Sequence, residues 1–499
     1  MVSWTRRAFL RAASGGLAAG AWALAGRRAV AASAGTGAKK LNVLFLAVDD
    51  LRPELGCYGQ KTVKSPNIDK LAAGGMLFTR AYCQQAICGP SRASLLTGLR
   101  PDSTGIYDLR HPVSETLPNV RTLPQHFRRN GYTTISLGKI YHHHTDDKPG
   151  WNERTPTWRN AYQDRAVEAD RRRRRIEGRK KGLSGSRLHN YTAGPSSECA
   201  DVADNAYTDG VVADKAIEAL RKHKDGPFFL AAGFYKPHLP FVAPKRYWDL
   251  YDRAKLPLPD ATQPTAAPQI AFTNWGELRA YTDIPKTGDL DEAKTRELLH
   301  GYHACVSYTD AQIGRVLAEL DRLGLAETTV VILWGDHGWK LGEYGDWCKH
   351  TNFELDTHVP MILRMPGTPG GRRCEALVEF VDIYPTLAEL CGLTVPAHCE
   401  GKSMAPLLAD PTRPWKAGAV SQYPRGRIMG YSVRTRRWRY TEWIDRRTGA
   451  VTARELYDHE KTPLARENLV GKADRAEHVA KLAAMAKAAR AKRPKWPPR

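Results

Sequence analysis

Long apolar runs that alternate with helical patterns constrain the fold of this chain more than any other feature. The first, at residues 41–48, is continuously apolar and ends in Asp49 and Asp50, which is typical of a strand buried on both faces of a parallel sheet. Similar runs predict strands at residues 76–82, 132–137, 228–234, 329–334 and 359–365. Helical patterns lie at residues 65–73, 123–130, 207–223, 292–323 and 382–390. The alternation predicts a doubly wound α/β sheet flanked by helices.

Two stretches break this rhythm. Residues 143–200 are polar, basic and rich in glycine and proline, so we expect a surface insertion over one end of the sheet. Residues 429–435 and 438–443 alternate with period two, and residues 474–490 are helical. These patterns predict a large domain over residues 41–411 and a small C-terminal α+β domain over residues 412–499, with an antiparallel sheet and a basic tail.

The N-terminus resembles an export signal. Arg6 and Arg7 precede a mild apolar stretch at residues 12–25, and a small-x-small cleavage motif follows at residues 29–31. Residues 1–32 therefore predict a twin-arginine (Tat) signal, with the Tat machinery as partner and the periplasm or the exterior as destination. The apolar stretch is too short and weak for a stable membrane anchor.

Export permits disulfides, and the chain has nine cysteines. An odd number leaves at least one thiol unpaired or modified. Cys391 and Cys399 are close enough in sequence to bridge, although spacing alone does not fix a pairing.

The net charge of +22 favours anionic partners such as nucleic acid, anionic lipid or an acidic polysaccharide. The first 40 residues contribute seven positive charges and no acid, so the rest of the chain still carries +15. No nucleic-acid-binding motif is present, and we expect no nucleic-acid partner. Residues 171–175 are five consecutive arginines, which form either a cationic rim or a solvated helix face.

Acidic pairs follow two of the predicted strands. Asp49 and Asp50 end the first strand, and Asp336 and His337 come just after residues 329–334. Ligands bind at the carboxyl ends of strands in open α/β sheets, where converging carboxylates repel one another unless a cation neutralises them. Either pair could instead cap a helix, but both together favour a hard divalent ion, Ca²⁺ or Mg²⁺.

A short motif carries the strongest chemical signal. Residues 88–92 read C-G-P-S-R and are followed by L-L-T-G at residues 95–98. Pro90 and Ser91 can begin a helix whose positive end faces an anion, Arg92 can fork onto an oxyanion, and Cys88 lies where a nucleophile would be. This pattern resembles the signature of the type I sulfatases, in which the cysteine is oxidised to Cα-formylglycine.

Further segments resemble the same family, and most closely its iduronate-2-sulfatase-like subgroup. They lie at residues 42–51, 138–142, 236–238, 335–339, 421–425 and 429–434. The resemblance implies an alkaline-phosphatase-like mixed sheet. It also implies a metal site of Asp49, Asp50, Asp336, His337 and modified Cys88, and catalytic residues Cys88, Arg92, Lys139, His142, His238 and Lys349.

The resemblance also implies a mechanism. A formylglycine-generating enzyme would convert Cys88 to an aldehyde, and its hydrate would attack the sulfur of a sulfate ester. Arg92, Lys139, His238, Lys349 and the cation would neutralise the sulfate oxygens. His238 would protonate the leaving alcohol, and His142 would help the second hydroxyl expel sulfate. The implied substrate is a sulfated, anionic sugar.

Two alternatives stay open. One is a phosphate or phosphonate ester hydrolase of the same superfamily, and the other is a non-catalytic protein that binds sulfated glycans. The chain departs from the family pattern at Gly335, where serine is usual, and in the arginine-rich stretch of residues 165–190, which has no counterpart. These departures concern the rim of the pocket, so the sugar is left unassigned.

Overall fold

The apolar runs of the sequence form the strands of the protein. The computed structural model describes residues 40–142 and 145–491, so the predicted export signal lies outside the described residues. The strands are β1 (Asn42–Val48), β2 (Met76–Tyr82), β3 (Thr133–Gly138), β4 (Glu153–Thr155), β5 (Ser197–Ala200), β6 (Phe228–Phe234), β7 (Phe241–Pro244), β8 (Thr329–Gly335), β9 (Lys340–Leu341), β10 (Trp347–Cys348), β11 (His358–Arg364), β12 (Arg372–Cys374), β13 (Val378–Glu379), β14 (Ala419–Arg425), β15 (Ile428–Arg434), β16 (Trp438–Asp445) and β17 (Val451–Asp458).

The α-helices are α1 (Pro66–Ala73), α2 (Cys88–Thr97), α3 (Pro101–Thr104), α4 (Val113–Thr116), α5 (Leu123–Arg129), α6 (Arg165–Lys180), α7 (Gly185–Tyr191), α8 (Thr208–His223), α9 (Lys245–Trp248), α10 (Glu292–Arg322), α11 (Glu354–Thr357), α12 (Ile383–Leu390), α13 (Ala405–Ala409) and α14 (Ala476–Ala491). Short 3₁₀ turns connect several of them. The six helices predicted from the sequence, α1, α5, α8, α10, α12 and α14, begin and end within two residues of their predicted bounds, and the other helices have no predicted bounds.

A mixed sheet of nine strands organises the large part of the molecule. Its order is β12-β2-β11-β8-β1-β6-β3-β4, and β13 also pairs with β2. Strand β11 is antiparallel to both β2 and β8, whereas β8, β1, β6, β3 and β4 are parallel to one another. Strand β2 therefore points the same way as β8, and β11 is the reversed strand. The predicted doubly wound mixed sheet is confirmed.

Helices cover both faces of this sheet. Along β1, Leu44, Leu46 and Val48 belong to one hydrophobic cluster, and Val43 and Phe45 belong to the cluster on the opposite face. Every residue of β1 is buried, which explains why its sequence is apolar without alternation from Val43 to Val48.

The stretch predicted as a surface insertion has more regular structure than expected. Strand β4 joins the edge of the main sheet beside β3, and β5 pairs with β7 in a separate two-stranded sheet. Between β4 and β5 lies the arginine-rich helix α6, whose N-cap Asp164 accepts hydrogen bonds from the amides of Ala166 and Val167. The arginine run is therefore one continuous helix.

The C-terminal part contains the predicted antiparallel sheet. Strands β14 to β17 pair in sequence order, and α14 packs on β15 and β16 through Leu482 and Ala486. The predicted domain boundary at residues 411–412 falls between α13 and β14 and stays a prediction.

All nine cysteines are free thiols, so the bridge considered between Cys391 and Cys399 does not form. No helix in the described part of the chain is both long enough and apolar enough to cross a membrane.

Two glycines let β3 and β6 approach closely where the sheet meets the functional residues. A Cβ at Gly233 would lie 2.1 Å from the carbonyl oxygen of Lys139, and one at Gly138 would lie 2.0 Å from that of Gly233. We expect Gly233→Ala to destabilise the fold by about 1–3 kcal/mol, because backbone atoms must move apart. Chemical denaturation measures this change. Gly226→Ala is the matched control, since nothing lies within 4 Å of its Cβ position, and an equal effect in both variants would contradict the expectation.

Candidate active site

The carboxyl edge of the main sheet collects the predicted site residues. Asp49 and Asp50 follow β1, Asp336 and His337 follow β8, Lys139 follows β3, His238 lies just beyond β6, and Cys88 begins the helix that comes after β2. All these strands run in the same direction, so their ends meet at one edge. The reversed strand β11 begins at that edge, and the loop that precedes it carries Lys349.

Cys88 is the first residue of α2 and is buried. Its thiol donates to Asp49 Oδ1 at 3.3 Å, and its Sγ lies 3.3 Å from His337 Nε2 and 3.5 Å from Lys139 Nζ. Gly89 is required beside it, because a Cβ there would lie 2.9 Å from a backbone oxygen. Burial raises the pKa of the Cys88 thiol well above its ordinary value, so the unmodified residue is a poor nucleophile.

Arg92 is fully buried one turn into α2 and uses every nitrogen of its guanidinium. Its Nε donates to Asp336 Oδ2 at 2.8 Å and one terminal nitrogen donates to Asp49 Oδ1 at 3.3 Å. The other terminal nitrogen donates to the carbonyl oxygens of Lys139 and Ile140. Arg92 thus ties together the ends of β1, β8 and β3. Its predicted contact with a sulfate oxygen stays a prediction.

Asp49 lies between two cations. Lys139 Nζ donates to Asp49 Oδ2, and Arg92 holds the other oxygen. Burial raises the pKa of Asp49, but the charges of Lys139, His238 and Arg92 outweigh burial and hold it well below its usual range. This carboxylate is therefore ionised at neutral pH.

Lys349 makes the corresponding contact with Asp50. Its Nζ lies 2.9 Å and 3.1 Å from the two oxygens of Asp50. The neighbours of Lys349, Cys348 and His350, both have left-handed backbone conformations, with φ of 68° and 85°. Such conformations cost about 1–3 kcal/mol each in residues other than glycine and cluster at functional sites. The loop accepts this strain and holds the ammonium group beside Asp50.

Glu277 is a site residue that the sequence reasoning missed. Its Oε1 lies 3.0 Å from Lys349 Nζ and 3.2 Å from His238 Nε2, and its Oε2 lies 3.1 Å from His350 Nε2. His350 Nδ1 in turn lies 2.7 Å from the hydroxyl of Tyr423 in the C-terminal sheet. Glu277 follows no strand and belongs to no motif, so no local signal in the sequence marks it.

His238 has a more exposed side chain than the other catalytic candidates Cys88, Arg92, Lys139 and Lys349. Its side chain is 23% exposed, against 3% for Lys139 and Lys349. Its Nδ1 lies 2.7 Å from the carbonyl oxygen of Leu239, and its Nε2 faces Glu277. Both ring nitrogens therefore lie beside oxygen atoms that can accept a hydrogen bond.

His142 follows the Lys139 segment. Its side chain is half-buried, and its carbonyl oxygen accepts hydrogen bonds from the amide and hydroxyl of Thr145. Its predicted role as a base stays a prediction.

Four of the predicted metal ligands form one buried group. The ligand atoms of Asp49, Asp50, Cys88 and His337 all lie within 4.8 Å of one another. Ligands on opposite sides of a Ca²⁺ ion are separated by about 4.6–5.2 Å, twice the usual Ca–O distance, so one ion fits this spacing. Burial raises the pKa of Asp50 despite the charge of Lys349, so a further cation at this carboxylate would favour its ionised form.

The orientation of the His337 ring also fits a metal ligand. Its Nδ1 lies 3.0 Å from the carbonyl oxygen of Gly338 and donates to it, which turns Nε2 toward the buried carboxylates. That Nε2 lies 3.4 Å from Asp50 Oδ1 and 3.5 Å from Asp336 Oδ1. Asp336 Oδ1 already accepts from the amides of Asp50 and His337.

The comparisons with known proteins agree with this arrangement. Residues 41–393 match the sulfatase family, and residues 342–492 match the C-terminal region of N-sulphoglucosamine sulphohydrolase. Human iduronate 2-sulfatase is 36% identical to the chain over 514 residues, which cover 86% of this chain and 91% of the relative. The chain belongs to the sulfatase family. The predicted enzyme class, a sulfuric ester hydrolase, is confirmed with it.

Solved structures identify the fold of this sulfatase. The phosphonate monoester hydrolase of Silicibacter pomeroyi has a TM-score of 0.73 at 21% identity, over 91% of this chain and 96% of that one. A protein solved in complex with its substrate D-glucosamine-2-N,6-O-disulfate has a TM-score of 0.73 at 22% identity, over 91% and 98% of the two chains. The predicted alkaline-phosphatase-like fold is confirmed. At these identities the likeness concerns the fold alone.

We predict that Glu277 positions Lys349 and His238. Glu277→Gln keeps the shape of the side chain but removes the charge that balances Lys349 and His238. We expect kcat for a sulfate ester to fall about 10- to 100-fold, as is usual for groups that orient metal-site residues, with a smaller change in KM and an unchanged unfolding midpoint. Steady-state kinetics and thermal unfolding check this. Glu375→Gln, at an exposed ion pair with Arg436, is the control. Full kcat in Glu277→Gln would show that Glu277 positions neither partner.

Proposed function

We propose that this sulfatase hydrolyses sulfate esters of sulfated, anionic sugars and that residue 88 acts as formylglycine. The observation that carries the proposal is the position of Cys88, which is buried at the start of α2 within 3.5 Å of Asp49, His337 and Lys139. Iduronate 2-sulfatase, at 36% identity, supports the sugar as substrate class. A relative solved with a glucosamine disulfate is consistent with it.

Water adds to the aldehyde of formylglycine to give a hydrate, of which one hydroxyl can attack sulfur and the second can release the sulfate. The formylglycine-generating enzyme would make the aldehyde by oxidising the CH₂–SH group of Cys88 with an external oxidant and release of its sulfur. The raised pKa of the thiol supports this proposal, because burial leaves the unmodified cysteine protonated and unreactive.

The cationic residues of the site would bind the sulfate group. Lys139 and Lys349 lie on either side of the aspartate pair, and their ammonium groups can neutralise charge that develops on the sulfate oxygens. Arg92 would hold Asp49 and Asp336 in position, since all its nitrogens are engaged.

His238 would donate a proton to the leaving alcohol. It is the partly exposed member of the group, so a sugar that enters from solvent reaches it first. Glu277 would keep its ring in place. His142 is proposed to assist the release step as a base, on the family resemblance alone.

The metal would be held by Asp49, Asp50, Asp336, His337 and the modified residue 88. A hard divalent ion supplies positive charge that polarises sulfate oxygens. The oxygen-rich ligands and their spacing favour Ca²⁺, with Mg²⁺ as the alternative.

Cys88 tests the central part of the proposal. We expect Cys88→Ala to abolish turnover of sulfate esters while the unfolding midpoint stays the same, because the thiol contributes little packing. Mass spectrometry of the Cys88 peptide from a host with a formylglycine-generating enzyme should detect a hydrazide-reactive aldehyde. Cys199→Ala, at an exposed thiol, is the control and should keep full activity. An unmodified thiol together with full turnover in Cys88→Ala would refute the proposal.

The same kinetic assays separate the two alternatives. A phosphate or phosphonate ester hydrolase would show a higher kcat/KM for the phosphate ester than for the sulfate ester of one alcohol. A non-catalytic glycan-binding protein would hydrolyse neither ester.

Calcium binding gives an independent readout. We expect one calcium per chain by elemental analysis, and stabilisation of about 2.7 kcal/mol against unfolding at calcium concentrations 100 times the Kd. Asp50→Asn should lose both effects, whereas Asp249→Asn, at an exposed ion pair with Lys245, should keep them. Stoichiometric zinc without calcium would contradict the assignment.

We also propose that residues 1–32 direct export through the Tat machinery to the periplasm or beyond. The support is the Arg6-Arg7 pair, the weak apolar stretch after it and the cleavage motif at residues 29–31. Replacement of Arg6 and Arg7 by lysine should hold the precursor in the cytoplasm, and efficient export of that variant would argue against the assignment.

A further inference from the structure

A cleft of about 770 Å³ connects the candidate active site to the arginine-rich helix α6. Its inner part is lined by Asp49, Lys139 and His238, and part of its wall by Arg171, Arg172 and Arg175 of α6. Clefts of about 300–1,000 Å³ hold drug-sized ligands, and a disaccharide is of that size. The inserted helix therefore faces the space that a substrate larger than one sulfated sugar would occupy.

The helical period divides the five arginines of residues 171–175 into two faces. Arg171, Arg172 and Arg175 are spaced by one, three and four residues and line the cleft together. Arg173 and Arg174 do not line it, and both form ion pairs with Asp170 on α6. The run is thus not one uniform cationic surface.

The three arginines that line the cleft differ in their partners. Arg171 pairs with Glu168 at 2.6 Å and stacks 5.1 Å above the ring of Tyr162, so its charge is balanced. Arg172 and Arg175 are exposed, and neither has a carboxylate within 4.0 Å among residues 40–142 and 145–491. Two unbalanced guanidinium groups therefore line the cleft that leads to the buried site.

An aromatic surface accompanies them. Trp158 lines the same cleft and is 59% exposed. The centroid of its ring lies 5.2 Å from that of the Tyr235 ring. An exposed indole held by a second ring offers a flat apolar face, which suits the face of a sugar ring.

We propose that Arg172 and Arg175 form a subsite for a second anionic group of the sugar substrate, remote from the sulfate that is hydrolysed. The group is an oxyanion, either a uronate carboxylate or a second sulfate, because the planar fork of a guanidinium matches two such oxygens. The proposal rests on the proposed function and assigns the specificity of that same site to the inserted helix.

The test compares Arg172→Gln/Arg175→Gln with Arg173→Gln/Arg174→Gln. Both double variants remove two charges from α6, and glutamine maintains the helix. The substrates are a sulfated disaccharide with a uronate carboxylate, its carboxyl-reduced form, the same disaccharide with a second sulfate, and an uncharged aryl sulfate.

For the cleft variant we expect kcat/KM on the uronate disaccharide to fall at least about 10-fold through KM, as lost charge-assisted hydrogen bonds imply. The control variant should stay within about twofold on every substrate, and both variants should keep their activity on the aryl sulfate. A loss that disappears with the carboxyl-reduced form identifies the carboxylate. A loss that appears only with the doubly sulfated form identifies a sulfate. Equal effects of the two double variants, or no effect of either, would overturn the proposal.

Binding separates this inference from the proposed function. The uronate disaccharide is titrated calorimetrically into Cys88→Ala with and without Arg172→Gln/Arg175→Gln. Weaker binding in the combined variant supports the subsite even if the parent protein hydrolyses no sulfate ester, in which case only the proposed function fails. Equal binding overturns the subsite even if hydrolysis is fast.

Discussion

The burial of ionised carboxylates at the carboxyl edge of the sheet is the constraint on which the rest of the site depends. Asp49, Asp50 and Asp336 are all 0% exposed, and such charges are tolerated only when they are paired and hydrogen-bonded. Arg92 meets this requirement by bridging Asp49 and Asp336. Removal of one partner from such a network leaves an uncompensated buried charge, so the predicted site residues also hold three strand ends together.

The sheet topology explains how residues so distant in sequence assemble. Parallel strands deliver Asp49, Lys139 and Asp336 to one edge because each strand ends there in register. The reversed strand β11 contributes differently, since the loop before it closes over that edge with Lys349. The C-terminal sheet contributes through Tyr423 and His350. One mixed sheet thus gives the site a rigid floor and a wall formed by a loop.

The sequence predicted those parts of the site that follow strands or belong to compact motifs. Asp49 could be placed because a buried strand ends before it, and Cys88 because three fixed residues of its motif follow it. Glu277 could not be predicted, since it lies in irregular chain and meets Lys349 only through tertiary folding. The arginine run was recognised, but whether it faced substrate or solvent depended on the docking of α6, which composition does not determine.

The left-handed backbone at Cys348 and His350 links the thermal stability of this protein to the position of Lys349 beside Asp50. Glycine at either position would relieve strain, and stabilising substitutions are usually sought at such sites. Here glycine would also let the segment relax away from the geometry that directs Lys349 toward Asp50, and at residue 350 it would remove a partner of Glu277 and Tyr423. Engineering for heat resistance therefore has little freedom in this loop and has to look to surfaces far from the sheet edge.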